Sequence, residues 1–173
     1  KLSNGFLPGD KSYNEASNIL NAKKESALPI NVYNTSILSL YLKELDELTK
    51  RGIDYFWLDD KNVDKTLSFM FLHYTFRNYL KNENRRGLVL SRNPGIATHR
   101  YPVSYSGVTE VSWRTLKYLP YFNITSSNIG LSMWSHDIGG FEGGIEDAEL
   151  YTRYIQFGVY SPVMRLSSKE GRY

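Results

Sequence analysis

The chain has 173 residues, 41% hydrophobic and 23% charged, with a net charge of +3. That length supports a domain with a sizeable core, and the charge is too small to argue for a nucleic-acid partner. Cysteine is absent, which excludes disulfides and thiolate chemistry and fits a cytoplasmic protein; no apolar run approaches the ~18 residues of a membrane span.

In chain order, residues 1–28 are polar and rich in turn formers, among them Asn4-Gly5 and Pro8-Gly9-Asp10. They read as an irregular lead-in with room for a short helix over about Glu15–Lys24, and residues 29–173 read as the main domain. A short strand over Pro29–Tyr33 is expected. Asn34, Thr35 or Ser36 can cap the helix that follows. Leu38, Tyr41, Leu42, Leu45 and Leu48 then recur at helical spacing on one face, and Gly52 stops that helix.

Ile53 to Leu58 is a mostly apolar run between a glycine and two acids, Asp59 and Asp60. It reads as a parallel strand covered on both sides. Locally the acids open a loop and cap the next helix. They also stand at the C-terminal end of a strand, where α/β folds keep their chemistry, and the rest of the chain favours that second role. A helix over about Asp64–Lys81 follows, with Leu67, Met70, Phe71, Tyr74 and Leu80 toward the core. Gly87–Arg92 is another buried strand.

Asn93–Gly107 reads as a loop, and Trp113–Leu119 as a helix capped by Ser112 and ended by Pro120. Asn128–Trp134 leads into a third strand that Ser135-His136-Asp137 terminates. A helix to about Phe157 and a fourth strand over Tyr160–Leu166 complete the chain. Strands and helices therefore alternate, with Asp59, Arg92, Asp137 and Arg165 at strand ends. The glycines at 139, 140, 143 and 144 do not form the G-x-G-x-x-G phosphate turn of a doubly wound sheet. Part of a (β/α)8 TIM barrel, roughly its second half, is the expected fold; a complete barrel needs ~250 residues. The rest would lie upstream of Lys1 and downstream of Tyr173.

Acids and arginines at strand ends, rimmed by Trp57, Trp134 and Phe141, suit a carbohydrate pocket. Carboxylates grip hydroxyls and serve as nucleophile or acid, and aromatic faces stack on sugar rings. His73, His99 and His136 show no close metal-ligand spacing, no cofactor motif is present, and no G-x-S-x-G elbow occurs. A nucleotide-binding α/β module is the remaining class.

Several motifs carry a resemblance in order: Phe56-Trp57-Leu58-Asp59, Leu90-Ser91-Arg92, the Pro102–Trp113 loop, Trp134-Ser-His-Asp-Ile-Gly-Gly-Phe141, Glu149–Gly158 and Ser161-Pro-Val-Met-Arg165. From about Leu28 onward the chain resembles glycoside hydrolase family 31, the α-glucosidase and α-xylosidase family. The resemblance implies a retaining mechanism on α-linked glucosides or related sugars, with Asp59 as nucleophile. It implies sugar contacts from Trp57, Arg92, Trp134, His136, Asp137, Phe141 and Arg165. Two positions depart from the family: Val108 stands where the acid/base aspartate is expected, and Ser167 where a sugar-binding histidine is expected. Glu110 either replaces the acid or merely opens the following helix, and a sugar-binding relative without turnover stays open beside the enzyme.

Overall fold

The computed structural model describes residues 5–22, 27–59, 65–80, 87–92, 97–101 and 103–169. They form two compact units: one holds the chain up to Phe56 and the helix preceding Leu88, the other Trp57–Asp59 and the chain from Val89 on.

In the first unit, β1 (Gly5–Phe6) pairs antiparallel with β2 (Leu28–Pro29), and α1 (Tyr13–Leu20) lies between them in sequence. The lead-in is thus more regular than its turn-rich composition suggests, because Phe6, Tyr13 and Ala16 are buried in the unit's core. The strand expected over Pro29–Tyr33 is confined to Leu28–Pro29. α2 (Thr35–Lys50) begins where Asn34 Oδ1 accepts from the backbone N–H groups of Ser36 and Ile37, at 3.0 and 3.2 Å. That bond satisfies donors which a helix start leaves orphaned.

The buried face of α2 carries Ile37, Leu38, Tyr41 and Leu45, each such burial stabilising by about 1.5–3 kcal/mol. α3 (Lys65–Leu80) packs Met70, Phe71 and Tyr74 against the same core. The Tyr41 hydroxyl meets Thr75 Oγ1 at 3.1 Å, so this polar pair is buried already satisfied. Leu67 and Leu80, expected on the same face, have side chains outside the described residues.

The second unit is a parallel sheet in the order β3 (Phe56–Leu58), β4 (Val89–Ser91), β5 (Val103–Tyr105), β6 (Trp134–Ile138), β7 (Val163–Leu166). Phe56 itself groups with the first unit. β6 and β7 are in register from Ser135 opposite Val163 to Ile138 opposite Leu166. α4 (Trp113–Ser127) and α5 (Ala148–Val159) follow β5 and β6. Leu119, Leu150 and Tyr154 from these helices bury against Ile138 and Val111. Ser112 and Asp147 cap the two helices through their side-chain oxygens.

In this second unit four expectations change. β3 covers only Phe56–Leu58, shorter than the run Ile53–Leu58, and Ile53, Tyr55 and Trp57 are exposed. The loop read over Asn93–Gly107 contains a 3-10 turn at Thr98–Arg100 and the buried strand β5. α4 runs through Pro120 to Ser127. That proline forfeits one helical bond, a cost of about 3 kcal/mol, set against the Ser112 cap and the burial of Leu119 and Ser126 on the same helix. Finally, Asn128–Leu131 is the turn closing α4, with Ile129 and Gly130 N–H bonded to Ser126 and Ser127. The third strand therefore starts at Trp134 and contains Asp137 rather than ending before it.

The glycine-rich run after β6 has a packing cause. Phe141 and Glu142 N–H both donate to Thr109 O, and Val111 N–H donates back to Glu142 O. A Cβ on Gly140 would lie 2.7 Å from Val111 Cα, and one on Gly144 would lie 1.9 Å from Val111 O. Two backbones pass too closely for side chains, so these glycines serve a loop-to-loop contact. No helix among the described residues is long and apolar enough to cross a membrane.

Candidate active site

Parallel strands align their C-terminal ends, and the polar residues gather there. Asp59 and Arg92 directly follow β3 and β4; Tyr105 ends β5; Asp137 and Arg165 face each other in register near the ends of β6 and β7. Within a strand the side chains alternate between faces. Ser135 and Asp137 share one face of β6, and Trp134, His136 and Ile138 share the other.

Asp137 is fully buried, and its nearest cation is Arg165, whose Nη2 lies 2.6 Å from Asp137 Oδ1. The Tyr105 hydroxyl donates to the other carboxylate oxygen at 3.1 Å. Arg165 Nε donates to Ser135 Oγ at 3.0 Å. The guanidinium carbon stands 4.5 Å from the Trp57 ring centre and 4.6 Å from that of Tyr105, a double cation–π contact. Burial pushes the Asp137 carboxyl upward, while Arg165, Tyr105 and the more distant Arg92 pull against it. Burial and the Asp137 charge push the Tyr105 phenol up to about 12, so it stays a neutral donor.

Asp59 is open to solvent, and Arg92 Nη1 lies 3.5 Å from its Oδ1. That loose pair contributes well under 1 kcal/mol to stability; it places a positive charge beside an accessible carboxylate. Gly107, at φ +90, turns the Ser106–Thr109 segment past Arg92, and a Cβ there would be 3.5 Å from Arg92 Nε. Val108, next in sequence, is exposed.

The expected site residues divide accordingly. Asp59, Arg92, Trp57, Asp137 and Arg165 form one connected set. Phe141 and Glu110 sit on the paired loops beyond it. Glu110 bridges to Glu142 through the backbone and precedes the Ser112 cap, so it lies outside α4; a Cβ on Gly143 would be 3.7 Å from its Cγ. Trp134 and His136 do not join the set. Trp134 is buried against Phe122, 4.7 Å between ring centres, with its indole N–H on Leu131 O at 2.8 Å. His136 is fully buried among Phe122, Trp134 and Phe157. Both point to the helix side of β6, because their parity is opposite to that of Asp137.

Tyr105 and Ser135 complete the cluster and were not among the expected residues. Tyr105 lay in a stretch read as loop; the signal available was the apolar start of Val103-Ser104-Tyr105 after a proline. Among the described residues no group of three or more His, Cys, Asp or Glu could hold a metal ion.

Two outcomes follow from these environments. Arg165→Met strands a buried carboxylate and lowers unfolding free energy by about 3 kcal/mol at neutral pH. The Asp137 carboxyl then rises further, so the loss is smallest below the unfolded carboxyl pKa and grows as pH rises through the folded one. Denaturant melts at several pH values check this, and adding Asp137→Asn recovers most of the loss.

For His136, burial first and then the Arg165 charge lower the imidazole to about 4. A depressed histidine contributes stability above the unfolded pKa, which is lost as pH falls toward the folded value. Stability therefore drops between about pH 6.5 and pH 4, by on the order of 3 kcal/mol, and His136→Phe flattens that limb.

Residues 8–173 match the model of the glycosyl hydrolases family 31 TIM-barrel domain. A 1,3-alpha-isomaltosidase of Kribbella flavida is 23% identical over 120 residues, covering 68% of this chain and 17% of that protein. An alpha-glucosidase of Hordeum vulgare is 33% identical over 91 residues, covering 53% of this chain and 10% of its own length. The crystal structure of a GH31 alpha-xylosidase from Xanthomonas citri superposes with a TM-score of 0.69 at 20% identity, covering 97% of this chain and 24% of that one. The chain thus spans under a fifth of the length of these two curated relatives.

Proposed function

Because the chain belongs to glycosyl hydrolases family 31, as part of its TIM-barrel domain, we propose that it carries the nucleophile half of a retaining glycosidase site for α-linked glucosides or related sugars. The observation that carries this reading is the exposed Asp59 carboxylate beside Arg92, at the same sheet end as the buried Asp137–Arg165 pair. Asp59 attacks the anomeric carbon, its oxygen forms the new C–O bond, and the leaving group departs with the electron pair of the bond that breaks. Water then releases the sugar with its configuration retained. Arg92 holds the Asp59 carboxylate and sugar hydroxyls. Asp137, buried beneath the cluster, holds Arg165 and Tyr105 in place, and Trp57 and Phe141 wall the ring.

A second reading, sugar binding without turnover, draws on Val108. Valine cannot protonate a leaving group, and lost proton transfer costs about 10²–10⁴-fold in rate. A fluorosugar that traps the glycosyl-enzyme separates the two. Mass spectrometry of the intact protein then finds one sugar on the peptide containing Asp59 if the enzyme reading holds. Sugar binding by calorimetry with no label and no aryl α-glucoside hydrolysis supports the binder and removes the enzyme.

A further inference from the structure

His136 is a buried titratable group that the proposed chemistry does not use, yet both of its nitrogens are engaged. Nε2 lies 2.8 Å from Asn123 Oδ1 on α4, and Nδ1 lies 2.9 Å from Ser106 Oγ. An amide oxygen can only accept, so Nε2 carries the hydrogen and Nδ1 is left to accept from the Ser106 hydroxyl. The competing acceptor for that hydroxyl, Ser135 O, is 3.5 Å away, so the imidazole holds the stronger bond. Ser106 is the first residue after β5, and Gly107 and Val108 follow it past Arg92. The ring meets Phe122 edge-on, Phe157 at a tilt and Trp134 stacked, which fixes where Nδ1 points.

We infer that His136 is a positioning residue: from the helix side of β6 its Nδ1 holds the Ser106 hydroxyl, and so sets the path of the Ser106–Thr109 segment beside the Arg92–Asp59 pair. The geometry assigns the two bonds different jobs. The Asn123 bond takes the Nε2 hydrogen and so fixes the tautomer; of the two, the Ser106 bond alone holds the segment beside Asp59. A histidine present only to fill the core would give both bonds the same consequence. Burial and the Arg165 charge keep the ring neutral, which the acceptor role of Nδ1 requires. This assignment deepens the proposed reading and rests on it for its catalytic consequence, but the positioning itself is measurable without turnover.

Two near-isosteres separate the bonds. Asn at 136 places an amide oxygen near the former Nδ1 and keeps an acceptor for Ser106; Gln reaches the former Nε2 and keeps a donor for Asn123. Amide hydrogen exchange over residues 106–109 and kinetics on an activated aryl α-glucoside are measured for the intact protein, His136→Asn, His136→Gln and Ser106→Ala. Thermal melts report folding. The expected result is faster exchange and roughly tenfold lower kcat with near-constant KM in His136→Gln and Ser106→Ala, and near-native values in His136→Asn. The His136→Gln/Ser106→Ala double variant is no worse than either alone. The inference is overturned if exchange in 106–109 is native-like in His136→Gln and Ser106→Ala, or if His136→Asn loosens the segment as much as they do. If His136→Gln does not fold, Ser106→Ala against His136→Asn decides the point alone. Absent turnover in the native protein would sink the glycosidase reading, while the exchange pattern would still decide the positioning role.

Discussion

Asp59→Asn lowers hydrolysis of an activated aryl α-glucoside by about 10⁴-fold or more, with melting behaviour almost unchanged. The two halves of that result come from different facts. An amide keeps the shape of the carboxylate but is a far poorer nucleophile, so the covalent step is lost. The side chain is open to solvent and its pairing with Arg92 spans 3.5 Å, so little folding energy rides on it, within about 1 kcal/mol. Asp59→Ala adds a stereochemical reading. It opens space on the face of the sugar that the carboxylate would attack, and azide entering there displaces the leaving group in one inversion. An α-glycoside then yields the β-glycosyl azide. Activity of Asp59→Asn within tenfold of the native protein would move the nucleophile elsewhere and dissolve the assignment of this strand end.

Much of the fold was legible because helical periodicity survives in long elements. α2 shows this best: its apolar spacing, its Asn34 cap and its Gly52 stop are all local signals, and the helix forms between them. Short strands carry no comparable signal. β5 has three residues bounded by Pro102 and Gly107, too few to show alternation, and its identity comes only from neighbours pairing on both sides. Pro120 misled for the opposite reason: a strong local breaker was overridden by burial of Leu119 and Ser126 on either side of it.

The site was legible as a list of strand-end charges, and the structure brings Asp59, Arg92, Asp137 and Arg165 together. Trp134 and His136, expected beside them, lie on the other face of β6. The strand Trp134–Ile138 is buried throughout, so no exposed position marks which face is which. Parity would have settled it. Once Asp137 is given to the face of the charged cluster, Trp134 and His136, at odd separation from it, fall on the helix side. Tyr105 could not be found in the same way, because the strand that aims it at Asp137 was not recognised.

Val108→Asp gives the opposite kind of change, a gain. Cleavage of unactivated α-glucosides rises by about 10²–10⁴-fold, while hydrolysis of an activated aryl glycoside changes little in its glycosylation step. A poor alkoxide leaving group needs a proton as the C–O bond breaks; a phenoxide with a low pKa does not. Val108 is exposed, so a carboxylate there introduces no buried charge, and folding stability stays within about 0.5 kcal/mol. The segment runs beside that pair, since a Cβ on Gly107 would lie 3.5 Å from Nε of the Arg92 guanidinium that pairs with Asp59; a retaining pair of carboxyl groups stands about 5–5.5 Å apart. Azide distinguishes this from a general stabilising effect. On the proposed mechanism, azide added to the native protein is expected to intercept the glycosyl-enzyme and yield the α-glycosyl azide, whereas in Val108→Asp the new carboxylate activates water and suppresses that product. Glu110→Gln is the control. A Cβ on Gly143 would lie 3.7 Å from Glu110 Cγ, which puts this side chain at the paired loop, so its loss is expected to leave cleavage of both substrate types unchanged. A fall confined to the unactivated substrates would instead give Glu110 the proton and make the Val108 substitution silent.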